Sequence, residues 1–337
     1  MCDLAADRLP VLRWMEAASL SLAALQEPRI VRTALDAVTL TFDGKVASVN
    51  SVRRKRSVLH HLIETAVELR ELPSNLLDTI KWKPPKATDA VDPRTVVNSA
   101  QARTLLAVLS SIGWTRGPWT AAMFACMYYA ELRPEKAPAI CRQNCELPEQ
   151  GWGRLTLEKA RPQVNKRWTN SRETHDERGL KHRARDNTRE IPIPPILVTI
   201  LREHIEKHGA ERGGRLFRTS KGRTFSSSAY STVWQETRRL AFTVEQIASP
   251  LAALPYDLRH AAVSLWLNAG VPPTEVAQRA GHGMDVLLRV HAKCIEGQRA
   301  HANGQISRAL DTWSGDVPEL MMGALAPELG GVSDRYA

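Results

Sequence analysis

Three short stretches of this 337-residue chain carry side chains suited to holding an oxyanion: Ala130-Glu131-Leu132-Arg133, Tyr256-Asp257-Leu258-Arg259-His260 and Ala280-Gly281-His282. A guanidinium is planar, always charged, and offers paired donors that match the oxygens of a phosphate or carboxylate. Imidazole adds a donor or an acceptor near neutral pH. A fourth feature is a basic segment: residues 159–189 hold ten Lys or Arg against four Asp or Glu. Cys141 and Cys145, with His175 further on, invite a zinc reading. Two thiols without a second pair fall short of a structural zinc set, so these read as reduced structural cysteines and no metal is expected.

The elements that must position these residues are mostly helical. Asn50 or Ser51 reads as the cap of a helix running to about residue 71, with Leu59, Leu62, Ile63, Ala66 and Leu69 on one face. Arg53, Arg54, Lys55 and Arg56 fall in its first turn, where positive charge opposes the helix dipole unless an anion is near. A phosphate backbone is a natural candidate for that anion, and a solvent-screened charge run is the plain alternative. The proline-containing stretch 82–94 reads as a linker. Beyond it the pattern predicts helices near 98–112, 118–131, 194–208, 226–242, 256–269, 273–281 and 297–310. Short strands are expected near 153–159 and 188–193, on either side of the basic segment.

Composition narrows the class. The net charge is +10 with a pI near 9.6, which favours a polyanionic partner. Five scattered cysteines fit a reducing compartment. The longest apolar run, 121–130, is half the roughly 20 residues a transmembrane helix needs. Asp3 and Asp7 stand where a secretory signal carries positive charge, so a cytoplasmic location with no membrane is expected.

In Arg133, the Arg259-His260 pair and Gly281-His282, in that order and spacing, the chain resembles the tyrosine recombinase (phage integrase) family, and it looks particularly like actinobacterial integrases. The resemblance implies a fold that is mainly α with a small antiparallel β-hairpin or sheet. It implies a shortened helical core-binding domain at 1–83, a linker at 84–95, a catalytic domain at 96–311 and a tail at 312–337. It further implies that Arg133 and Arg259 grip a scissile phosphate, that His282 donates to the same oxygens, and that Lys181 protonates the leaving 5′ oxygen. Lys159 is a second candidate for that last task. Lys166, Arg167, Arg183 and Arg185, with the 53–56 cluster, become DNA-backbone contacts. The implied partners are double-stranded DNA, clamped between the two domains, and further copies of the chain in a homotetramer, with helix 297–310 a candidate for exchange. No cofactor is implied.

Three positions depart from the family pattern. Tyr256 stands where relatives carry His or Lys, and a phenol can still bond a phosphate. Lys136 replaces an acidic residue, leaving Glu135 as the carboxylate available to orient the arginine. His291 occupies the nucleophilic tyrosine's position, nine residues after His282, and none of the five tyrosines falls there. His291 leaves three outcomes open: attack on phosphorus, activation of water, or DNA binding without cleavage. A different class is also open. Residues 257–281 read as helix-turn-helix, with Thr274, Glu275, Gln278 and Arg279 as a modest base-reading face. Convergence of Arg133, Arg259 and His282 in space separates the two readings.

Overall fold

Residues 121–130 are apolar on every side because the helix they form lies at the centre of the larger unit. In the computed structural model, which describes residues 9–83, 90–169, 172–179, 188–210, 214–295 and 298–311, the chain divides into two compact units, Met1–Asp89 and Ala90–Ala337.

In the first unit, α1 (Leu9–Ala18), α2 (Pro28–Val38) and α3 (Val49–Glu68) are joined by short turns. Val31, Leu35, Ile63, Ala66, Leu72 and Leu77 form its core. The cap of α3 is Ser48, not Asn50 or Ser51: its hydroxyl accepts from the Ser51 amide. The helix therefore starts earlier than its sequence suggests, and Arg53–Arg56 lie in its second turn. The dipole penalty is correspondingly smaller there, since it fades beyond the terminal turn.

The second unit opens with α4 (Ser99–Ser110), fixed by a reciprocal Asn98–Gln101 capping box, and α5 (Arg116–Tyr129). Residues 122–128 of α5 are all buried, and the Phe124 ring stacks on Trp234 at 5.2 Å. A three-stranded antiparallel sheet follows in the order β1 (Cys145–Glu146), β2 (Gly153–Leu157), β5 (Arg189–Ile193). Leu155 pairs with Ile191 and Leu157 with Arg189, and alternate side chains point into the core. Between β2 and β5 the chain makes an excursion through β3 (Lys159–Ala160) and β4 (Arg178–Gly179), a separate two-stranded ladder. Two further helices, α6 (Pro195–His208) and α7 (Ser227–Ala241), pack on α5 and α4, and a short α8 (Val244–Ala248) follows.

Four helices of the described residues remain, and the first three of them carry the site. These are α9 (Asp257–Asn268), α10 (Pro273–Ala280), α11 (Met284–His291) and α12 (Gln298–Asp311). Val263, Leu267, Val276, Ala277, Ala280 and Leu287 join α9, α10 and α11 into a small core of their own. Residues 90–95, expected to be linker, belong to this unit: Val91 is buried and its amide donates to the Val290 carbonyl at 2.8 Å. The expected 312–337 tail lies outside the described residues.

Candidate phosphate-binding site

Arg259 sits in the first turn of α9 and is 1% exposed. Its Nη2 donates to the Ala280 carbonyl at 2.7 Å and contacts His282 Nε2 at 2.8 Å. A guanidinium has no acceptor, so His282 Nε2 receives this bond and the ring proton resides on Nδ1. That nitrogen is buried and has no partner among the described residues, and neither has Arg259 Nη1. Two donors are thus left unsatisfied beside each other, an arrangement that costs free energy until an acceptor arrives.

The left-handed turn after α10 delivers His282 to this place. Gly281 has φ +65°, and a Cβ there would lie 1.9 Å from Arg189 Nη1. The left-handed backbone favours glycine, and a side chain would have to displace the Arg189 guanidinium. The Gly-His pair read from the sequence is therefore one device: the glycine lets the chain turn past Arg189, and the histidine meets Arg259.

His291, at the end of α11, is fully buried. Its ring lies 5.3 Å from that of His260 and 6.4 Å from that of His282. Nδ1 approaches Ser264 Oγ at 3.4 Å, and Nε2 is buried without a partner among the described residues. Burial is the main cause that pushes His291 down to about 3, with His260 and Arg259 adding to it. His282 is also pushed to about 3, by burial and then Arg259, and His260 to about 4 for the same reasons. All three rings are neutral at pH 7. Half-buried Tyr256 caps α9, lies edge-on to His260 at 4.9 Å and partly offsets the cost of burying the Arg259 charge.

Arg133 belongs to the same cluster. It follows the turn after α5, is partly exposed, and its charge acts on Arg259, His282 and Lys136. Two neighbours were not assigned to the site from the sequence, although Lys136 stood out there as a departure from the family pattern. Lys136 is 5% exposed, and burial followed by Arg189, Arg133 and Arg259 lowers it to about 7. Glu131 is wholly buried with φ +52°, and burial raises it to about 8 against the opposing pull of Arg259, Arg189 and Arg279. Glu135, expected to be the orienting carboxylate, is exposed instead. Glu131 is the carboxyl that faces the arginines. Its place directly after an apolar run and beside Arg133 was the available signal. The arrangement can seat an anion among two guanidinium groups and an imidazole N–H, in a dry setting where such bonds are strong.

No protein-family model matches the sequence, and no curated protein matches it. Solved structures do. Tn1549 transposon integrase, in complex with circular intermediate DNA, aligns over 90% of this chain and 92% of its own at 14% identity and a TM-score of 0.59. The XerH site-specific recombinase bound to difH substrate aligns over 88% and 77% at 12% identity, TM-score 0.53. A lambda integrase dimer on a core site gives 82% and 83% coverage at 11% identity, TM-score 0.52. The fold is that of a tyrosine recombinase.

Within this recombinase fold the other expected site residues are distributed unevenly. Lys166 and Arg167 are exposed on a helical turn in the excursion between β2 and β5. Lys159, also exposed, is held by Glu177 at 2.5 Å. Lys181, Arg183 and Arg185 lie outside the described residues. In the first unit Arg53 and Arg54 are exposed, whereas Lys55 Nζ donates to the Leu40 carbonyl. The base-reading face weighed for α10 is compromised. Arg279 donates to Glu275 at 2.5 Å, and its guanidinium lies 5.2 Å from the Trp266 ring centre. Cys145 is buried, and its thiol is raised to about 12 by burial. Among the described residues the one gathered set of potential metal ligands is His60, Glu64 and Asp78 in the first unit. Hydrogen bonds already link them, from Asn75 to Glu64 and between His60 and Asp78.

Proposed function

We propose that this chain is a recombinase-like protein that binds duplex DNA and seats one phosphodiester between Arg133, Arg259 and His282, for strand breakage and rejoining by transesterification. The supporting observation is the pairing of Arg259 with His282 at 2.8 Å, with an unsatisfied donor on each. Negative charge that builds on the non-bridging oxygens meets these donors, and no reorganisation is needed at that moment. Lys181 supplies the proton to the 5′ oxygen in this reading, and Tyr256 holds the edge of the pocket. The chain works in the cytoplasm as a homotetramer on paired sites, with no cofactor. Lys166, Arg167, Arg183, Arg185 and the 53–56 cluster contact the backbone.

His291 then decides whether strands are cut. Neutral imidazole has a free lone pair and needs no base to attack phosphorus. A second reading is favoured by one observation: His291 has no exposed surface and its Nε2 is enclosed. In that reading the protein holds DNA without cutting it. A nicked suicide duplex tests both, with the native chain and with His291→Tyr. A covalent adduct from the variant alone identifies a recombinase fold that has lost its nucleophile. A native adduct supports histidine attack, and free nicked product supports hydrolysis. Failure of both chains to bind duplex DNA sinks the proposed function.

A further inference from the structure

A second cationic cavity, of about 640 Å³, opens where the excursion between β2 and β5 meets the loop that leads into α7. Arg161, Lys166 and Arg172 line it from one side, and Arg215 and Arg223 from the other. Sequence reasoning marked the near wall, with Lys166 in the basic segment 159–189, for DNA contact but not Arg215 or Arg223, because the second wall comes from a distant stretch of chain. Among the lining residues Glu173 is the one carboxylate, and it is paired with Arg161 at 3.1 Å.

The walls are tied together. Gln163 accepts from the Ser227 amide at 2.6 Å, and the His175 ring is bonded to the Phe225 backbone. On the far wall, Arg215 donates to Thr224 and the Arg223 amide to Thr219. Arg161 is 8% exposed, and its Nε is buried without a partner. Arg172 has φ +55°, a left-handed conformation uncommon for a side chain of this size. Such concentrated positive charge, held apart by the fold, is self-repelling unless an anion neutralises it.

The lining selects the kind of anion. Among the described lining residues cations and hydroxyls predominate, and the one ring, His175, is buried and bonded to backbone, which suits phosphate and sugar better than a nucleobase. Thr219, Thr224 and Ser226 add hydroxyls suited to phosphate oxygens. The volume exceeds that of a single phosphate and accommodates a length of sugar-phosphate chain.

We propose that this cavity binds the DNA sugar-phosphate backbone at a point separate from the Arg133–Arg259–His282 pocket, an inference that rests on the DNA-binding function proposed above. The contact is independent of base sequence and anchors the excursion on the duplex.

The test is the salt dependence of binding to a labelled duplex, for the native chain and for the Arg172→Gln/Arg223→Gln variant. Both replaced side chains are exposed, and circular dichroism verifies that the fold is kept. Each lost phosphate contact makes the slope of log Kobs against log salt shallower by about 0.9, so a change of about one to two is expected, equal on unrelated duplexes. A native slope in the variant overturns the proposal and leaves the proposed function standing. Absence of duplex binding by the native chain overturns both. Inorganic phosphate is the second probe, read on the His175 ring resonances. Resonance shifts with phosphate, combined with an unchanged DNA slope, would make this a free-anion site and overturn the DNA assignment.

Discussion

The Arg259 pocket and the excursion between β2 and β5 use the same cation in opposite ways. Arg259 is stripped of water and held by a carbonyl and an imidazole, so its position is fixed before any ligand arrives. Lys166 and Arg167 stand in solvent on a loop. The first arrangement is expensive to fold and strong toward a single phosphate, since charge interactions grow as water is excluded. The second is cheap, screened by salt and tolerant of which phosphate it meets. The proposed function needs both: one point of chemistry, and broad adhesion that lets the duplex be placed there.

The largest expected effect breaks the buried half of this contrast. Arg259→Met removes a preorganised donor and lowers cleavage by a His291→Tyr background at least a hundredfold, about 3–4 kcal/mol of transition-state stabilisation. The same change leaves the melting temperature unaltered or raises it, because a buried charge is often replaced by an apolar side chain without loss. A suicide-duplex assay and a thermal melt on one variant check both halves. A sharp loss of fold stability would show that Arg259 is held by stronger partners than those seen.

Acid and alkali sharpen the contrast next. His260, His282 and His291 titrate at about 4, 3 and 3 when folded, below the usual 6.5. Their contribution to stability is complete above pH 6.5 and is lost as pH falls toward 3. Glu131 works in the other direction: it is raised from 4.5 to about 8, so its contribution is complete below pH 4.5 and lost as pH rises through 8. Glu131→Gln is expected to flatten the alkaline side of a melting-temperature profile, and His291→Phe the acid side. Unshifted profiles in both variants would mean that the pocket is wetter than its geometry indicates.

The smallest effect belongs to the exposed region. Lys166→Gln with Arg167→Gln weakens duplex binding several-fold at low salt, with no preference for sequence, and the difference shrinks as salt is added. Anisotropy titrations at two ionic strengths measure it. A loss that stays constant as salt is added would place these side chains in a dry contact instead.

Much of the helical frame was legible because each helix carries an apolar face or a proline or glycine boundary. The range expected near 273–281 ends at Gly281 for the reason seen here, a left-handed residue beside Arg189 where glycine is favoured. Arg133, Arg259, His282 and His291 were legible as a spaced set. Glu131 and Lys136 were not recognised as pocket residues, although they stand beside Arg133 in sequence. Their significance arises from burial among Arg189 and Arg259, which come from β5 and α9, and no local pattern encodes that. The α3 cap was misplaced because Ser48, Asn50 and Ser51 are all competent caps, and packing chose among them. The second wall of the excursion's cavity was hidden for the same reason as Lys136: it exists only once distant segments meet.

The hydrogen bond from the Val91 amide to the Val290 carbonyl ties the segment entering the second unit to the residue just before His291. Any pull on that incoming strand must either snap this tether or drag Val290 with it. The end of α11, and with it His291, is thus coupled to the point where the chain enters this unit.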